Sequence, residues 1–166
     1  MAHAGTLELR RTDSWLGLVG WIALCNAVGI SSALATASGD SPWYQSLEKP
    51  SFNPPSWVFG PVWTALYVLM GIAAWRVWRR GGFTAHRAAL TAFLLQLALN
   101  FGWSFLFFEF RQIELALLEI VLLWAAIVAT MALFRRVDQA AAWLLAPYLG
   151  WVTFATVLNA AIANLN

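Results

Sequence analysis

Apolar residues run along this chain in long blocks, and nearly every charge falls in the breaks between them. The blocks cover about residues 15–37, 57–78, 86–108, 113–134 and 140–164. Each is long enough to cross a hydrocarbon layer about 30 Å thick as an α-helix, which takes about 20 residues. Strand-type alternation is absent, and a small open sheet would leave backbone amides unpaired in lipid. The pattern predicts an all-α integral membrane bundle of five transmembrane helices, with residues 1–166 forming a single domain.

One break differs from the others. Residues 38–56 lead into "WYQSLEKPSFNPPSWVFGPVW", which crowds aromatic residues and prolines between two spans. Pro42, Pro50, Pro54 and Pro55 each fix φ, remove an amide donor and restrain the preceding residue, so an unbroken helix through 42–55 is not expected. Interfacial aromatic belts account for many tryptophans in membrane proteins. Here, however, rigid rings continue from Trp43 and Tyr44 through Trp57, Phe59 and Trp63 into the next span, which fits a stiff lid over a pocket better than a belt.

Composition agrees with the blocks: 61% of residues are hydrophobic and 11% charged, against about 25% charged in a soluble domain. The net charge of +2 comes from short arginine clusters and not from one broad basic face, which argues against nucleic acid as a partner. Arg10, Arg11, Arg76, Arg79, Arg80, Arg87, Arg135 and Arg136 all fall on one side of a five-span chain, and Lys49 and Arg111 on the other. The positive-inside rule then places the N-terminus and the arginine-rich loops in the cytoplasm and the lid loop on the opposite side. The first span lacks a small-residue cleavage site after a short apolar core and is expected to remain in the mature protein. Cys25 is the only cysteine, excludes an internal disulfide, and reads as packing.

Polar residues inside the spans are expensive in hydrocarbon and point to the bundle interior. Gln96, Asn100 and Ser104 lie four apart and form one stripe on the third span, with Trp103 beside it. Trp151, Ala155 and Asn159 repeat with the same spacing on the fifth. Two such stripes facing each other would line one cavity; alternatively, Gln and Asn act as interhelical glue, a reading that suits Asn159 equally well. Glu109 and Glu114 flank Arg111 at a helix end and are expected in solvent. Glu119 lies within the fourth span and is expected to be paired there, with Arg111 or an indole N–H, or to be protonated, a proton-relay element being the functional alternative.

Catalytic motifs are missing. His3 and His86 fall outside the spans, no His/Cys/Asp/Glu set has metal-ligand spacing, and there is no phosphate loop, so no metal and no resident cofactor is expected. Cys25, Met70 and Met131 are the residues inside the spans that haem ligation would have to use, and nothing in the sequence partners them.

Three stretches carry a resemblance: the lid segment continuing to "TALYVLMG", then "LQLALNFGWSFLFF", then "APYLGWVTFATVLN". Together, in this order and spacing, they resemble the translocator protein family, also called tryptophan-rich sensory proteins or peripheral benzodiazepine receptors. The resemblance implies a five-helix bundle that binds porphyrins such as protoporphyrin IX and, in some members, sterol and benzodiazepine-type ligands. Carried onto this chain, it gives Trp57 and Trp151 as the residues of porphyrin binding and of a light- and oxygen-dependent porphyrin breakdown. It makes Asn100 and Ala155 pocket-lining, and Tyr44, Phe59 and Trp63 the lid and upper wall. With the stripe residues Gln96, Trp103 and Asn159 these form the expected ligand site, a tetrapyrrole being the ligand. Its carboxylates would sit near Lys49. The family is commonly dimeric and a homodimer is expected; the small residues of the third span, Ala85, Ala89, Ala92, Ala98 and Gly102, allow close helix approach in a dimer or within the chain and are a candidate face. Animal members end the fifth helix with a sterol motif of aliphatic residue, Tyr and basic residue. Here the segment reads "VLNAAIANLN", which weakens the case for sterol and favours a bacterial tetrapyrrole-binding member. Receptor or sensor is the favoured function, with a porphyrin or sterol transporter or carrier, and an enzyme that destroys porphyrin photochemically, as the alternatives.

Overall fold

The computed structural model describes residues 2–36 and 41–166, with side chains described from Trp15 onward apart from Ala35. The expected helix end at Ala37, the first lid residues 38–40 and the side chains of His3, Arg10 and Arg11 lie outside the described residues.

Five spans are long and apolar enough to cross a membrane: Trp15–Leu34, Ser56–Trp78, Gly82–Glu109, Ile113–Val137 and Gln139–Leu165. The protein is a multi-pass helical membrane protein, as the block pattern predicts. The first span belongs to α1 (Ala2–Thr36), which starts well before the expected residue 15. Neither proline nor charge repulsion interrupts it there, and helix continues over polar residues that need no lipid contact.

The lid contains a helical turn that the proline count hides. Ser41 accepts a hydrogen bond from the Tyr44 N–H (3.1 Å) and Pro42 occupies the first helical position, so α2 (Pro42–Ser46) is capped and started by the same residues that preclude a longer helix. Extended backbone with a turn at Pro50–Asn53 then leads to α3 (Ser56–Trp78).

Three further boundaries differ from expectation. Helix α4 (Gly82–Ser104) begins earlier than residue 86 but is kinked at His86, where φ and ψ leave the helical region. It continues as a π-helical turn, Phe105–Glu109, closed by the Phe110 N–H donating to the Phe105 carbonyl (2.8 Å), and Arg111 reverses the chain at φ 56°. Helix α5 spans Ile113–Val137. The fifth span is broken into α6 (Gln139–Leu144) and α7 (Ala146–Leu165), because Pro147 offers no N–H to the preceding turn.

Packing puts α1 against α3, α5 between α4 and α7, and α6 against α3. Small residues allow the first contact: a Cβ on Gly71 would lie 2.6 Å from the Ile22 Cα, and Gly29 accommodates the Tyr67 ring. The core centres on Met70, Leu90, Phe93, Ile127, Phe134 and Tyr148, with Phe93 stacked on Phe134 at 5.8 Å. At the arginine-rich end Asp138 accepts from Arg76 (3.1 and 3.2 Å), pairs with Arg80 (3.0 Å), and caps α6 through the amides of Ala140 and Ala141. Burial pushes the Asp138 carboxyl up. The Arg76 hydrogen bond, the Ala141 amide and the two guanidinium charges outweigh that effect and hold it below its ordinary value.

Candidate ligand-binding cavity

At the end away from Asp138 the helices enclose a cavity of about 620 Å³, the size of a small-molecule pocket. Helix α4 supplies Asn100, Trp103 and Ser104; α7 supplies Trp151, Ala155 and Asn159; α3 supplies Trp57, Phe59 and Trp63; Tyr44 of α2 closes the end. The two stripes read from the sequence thus face each other across one space. They also touch: the Trp103 Nε1–H donates to Asn159 Oδ1 (3.1 Å), and Asn159 Nδ2 donates to the Ile113 carbonyl (3.0 Å). Asn159 therefore both lines the cavity and ties three spans together.

Gln96 is the expected lining residue that the structure places elsewhere. One turn further from the cap along α4, it is buried below the cavity floor and its Oε1 accepts from the Tyr148 hydroxyl (2.9 Å). The stripe stays on one face, but Tyr148 rises beneath it and cuts Gln96 off. Tyr67 fills the same layer, its hydroxyl donating to Asn100 Oδ1.

The aromatic walls form a continuous network. Trp63 stacks on Tyr67 (5.4 Å) and meets Trp151 edge-on (6.4 Å), while Phe59 meets Trp151 at 5.7 Å. Trp57 is separate: it is 76% exposed and has no ring partner among the described residues. The two tryptophans singled out for chemistry are therefore differently placed, Trp151 within the ring network and Trp57 at the cavity's edge.

Sequence reasoning missed part of the lining. The π-helical turn rotates Phe107 and Phe108 toward the cap, where Trp103 stacks on Phe107 (5.2 Å) and Tyr44 meets Phe108 (5.4 Å). No residue type announces a π turn, although "FLFF" itself was visible. Helix α1 contributes Asn26, Gly29, Ile30, Ser32 and Ala33. The polar and small spacing of "NAVGISSA" was the available signal.

The cap is held by several contacts. Asn166 clamps Glu48, accepting from its amide (3.0 Å) and donating to its carbonyl (3.0 Å). Lys49 lies over the Tyr44 ring (4.9 Å) and donates two of its three N–H groups to the carbonyls of Gln45 and Leu47, at the cap and outside the cavity lining. Burial pushes the Tyr44 phenol up, against a smaller opposing effect of its hydrogen bond to Asn53, so it stays neutral and donates. Glu109 and Glu114 are exposed as expected. Of the alternatives for Glu119 the paired one fails: both its carboxyl oxygens are buried with no hydrogen-bond partner among the described residues, and Arg111 lies over Trp43 instead. No group of three potential metal ligands occurs among the described residues.

Comparison with known proteins places this geometry. The sequence model of the TspO/MBR family matches residues 21–165. The chain is 44% identical to the tryptophan-rich protein TspO of Chlorobaculum tepidum over 87% of this chain and 92% of that protein. It is 38% identical to the tryptophan-rich sensory protein of Cereibacter sphaeroides over 92% of each chain. It is 45% identical to the human translocator protein over 70% of each. A match of this extent, on a five-span bundle whose aromatic cavity is built from the stretches that first suggested the resemblance, means that the chain belongs to the TspO/MBR family.

Proposed function

We propose that the protein is a membrane receptor or sensor that holds a tetrapyrrole such as protoporphyrin IX in this cavity. One observation carries the reading: an internal space walled by Trp57, Phe59, Trp63, Trp103, Trp151 and Tyr44, with only a few polar groups, among them Asn100 and Asn159. Flat conjugated rings bind by stacking and edge contact with aromatic faces, and sparse polar groups orient their substituents. The spare N–H of Lys49 at the cap suits a porphyrin carboxylate. Benzodiazepine-type ligands fit the same aromatic space, whereas the end of α7 offers sterol neither the tyrosine nor the basic residue of the animal motif.

Light-dependent breakdown is part of the proposal, with excited porphyrin and dioxygen supplying the oxidant. Trp151, embedded in the ring network, is the better-placed electron donor, and Trp57 contacts the guest from the edge. A carrier function draws some support from the break at Leu145, since transporters use interrupted helices at their sites. That break lies away from the cavity lining, so receptor is the better reading. On the same proposal the arginine-rich end is cytoplasmic, and a homodimer would use the outward face of α4, where Ala98 is exposed.

The test is quenching of tryptophan fluorescence in detergent during a dark titration with protoporphyrin IX, followed by absorbance under light. Saturable quenching in the micromolar range is expected, equivalent to about −8 kcal/mol, with pigment loss under light that disappears in a Trp57→Phe, Trp151→Phe double variant. Absence of saturable binding overturns the ligand assignment; unchanged pigment loss in the double variant overturns the role of the two tryptophans.

A further inference from the structure

The contact between α1 and α3 changes character along its length. Near the middle of the bundle it is tight, with the backbone of Ile22 against Gly71 and the Tyr67 ring against Gly29. Toward the cap it opens. Ile30 and Ala33 on α1, and Trp57, Gly60 and Thr64 on α3, line the cavity and are exposed on the outside of the bundle as well. Ile30 is 60% exposed, and a Cβ built on Gly60 meets nothing within 4 Å. Residues that line a cavity and also face outward stand at an opening.

All of these residues lie toward the cap-side ends of the spans Trp15–Leu34 and Ser56–Trp78, so a bilayer seated on these spans would meet the opening in its outer part. Two polar groups near it are paired within their own helices: the Thr64 hydroxyl donates to the Gly60 carbonyl (2.9 Å), and Asn26 Nδ2 donates to the Ile22 carbonyl (2.9 Å), whereas the buried Ser32 hydroxyl has no partner among the described residues. A hydrophobic molecule crossing here strips no donor of its partner. The cap, by contrast, is held by the ring contacts of Tyr44 with Phe107 and Phe108 and by the Asn166 clamp.

We propose that the gap between α1 and α3 is a lateral portal, through which hydrophobic ligands dissolved in the bilayer enter and leave the cavity without passing through water, and that Gly60 sets its width. The inference uses the cavity of the proposed function and adds a route and a selection: the ligand is drawn from the membrane pool, and bulk at the portal, not at the cap, limits exchange.

Gly60→Leu places a side chain in the open space and favours helix, so the bundle is expected to fold. Gly150→Leu is the control, because a Cβ there also meets nothing within 4 Å but Gly150 lies outside the cavity lining. In phosphatidylcholine nanodiscs, stopped-flow quenching by protoporphyrin IX should show both association and dissociation slowed about tenfold in Gly60→Leu, with the control unaffected. A substitution that merely crowded the bound ligand would speed dissociation, so faster or unchanged dissociation overturns the portal. A second arm needs no porphyrin. In nanodiscs of phosphatidylcholine brominated on the acyl chain, the Trp151 emission, isolated by difference from Trp151→Phe, should be quenched in the wild-type protein and protected in Gly60→Leu. Equal quenching in the two overturns the portal even if protoporphyrin IX fails to bind, and that failure by itself would count against the ligand assignment alone.

Discussion

At the scale of single residues, a few side chains carry more than one task. Asn159 both lines the cavity and joins Trp103 of α4 to the first carbonyl of α5. Replacing it by Leu keeps the branched shape but leaves the half-buried indole N–H without an acceptor, a loss of about 1–3 kcal/mol. Unfolding in mixed micelles should show this destabilisation, whereas Thr153→Val, which removes an exposed acceptor of Trp124, should cost much less. Asp138 is the second such residue. Its carboxyl lies below its ordinary value in the folded chain, so it stabilises the fold fully above the unfolded value near 3.8. That contribution is lost as pH falls from there through the folded value. Asp138→Asn should flatten this acid dependence of the unfolding midpoint. Asp138→Ala should cost on the order of 3 kcal/mol at neutral pH, because an N-cap and a charged hydrogen bond go together while the half-exposed Arg80 contributes little.

At the scale of elements, the cap is a short helix fastened from two sides. Rings of the π-helical turn hold its inner face, and the side chain of Asn166 holds the backbone that follows it. Asn166→Ala removes two hydrogen bonds from an exposed strap, worth about 1–2 kcal/mol together. The expected outcome is about tenfold faster cleavage after Glu48 by endoproteinase Glu-C, read by timed proteolysis, with little change in global unfolding because the strap opens as a local unit. The elements also show where sequence signals stop. Block length and the prolines gave the spans and the stiffness of 42–55 directly. The helical turn at Pro42–Ser46 needed the Ser41 cap to be weighed against the proline count, and the break at Leu145 followed from Pro147, which looks harmless close to the start of a span.

At the scale of the whole molecule, the bundle is tied at one end and hollow at the other. The tie is the Arg76–Asp138–Arg80 cluster and the close α1–α3 contact; the hollow is the aromatic cavity. Gly71→Leu tests how the two are related, since its side chain would meet the Ile22 backbone, which has no flexible end to give way. Helix α1 must then move, at about 1–3 kcal/mol. The expected readout is a lower unfolding midpoint together with weaker quenching by protoporphyrin IX, because α1 forms one wall of the cavity.

By itself the sequence determined the solvent of the chain, the five spans, the stiff aromatic segment and the two stripes of lining residues on α4 and α7. Each of these follows from local rules: block length against bilayer thickness, the geometry of proline, and the four-residue spacing that puts Asn100 with Ser104 and Trp151 with Asn159 on helix faces. Tertiary structure alone decided which faces meet. Gln96 has the same spacing as Asn100 yet lies beneath the floor, because Tyr148 of another helix occupies the space in front of it. Glu119 has no hydrogen-bond partner among the described residues, and Trp57 stands exposed at the cavity's edge, for the same reason: periodicity fixes the direction of a side chain around its own axis, whereas burial and partnership depend on the positions of neighbouring helices. Those are set here by glycine contacts between α1 and α3 and by a π turn that no local pattern marks.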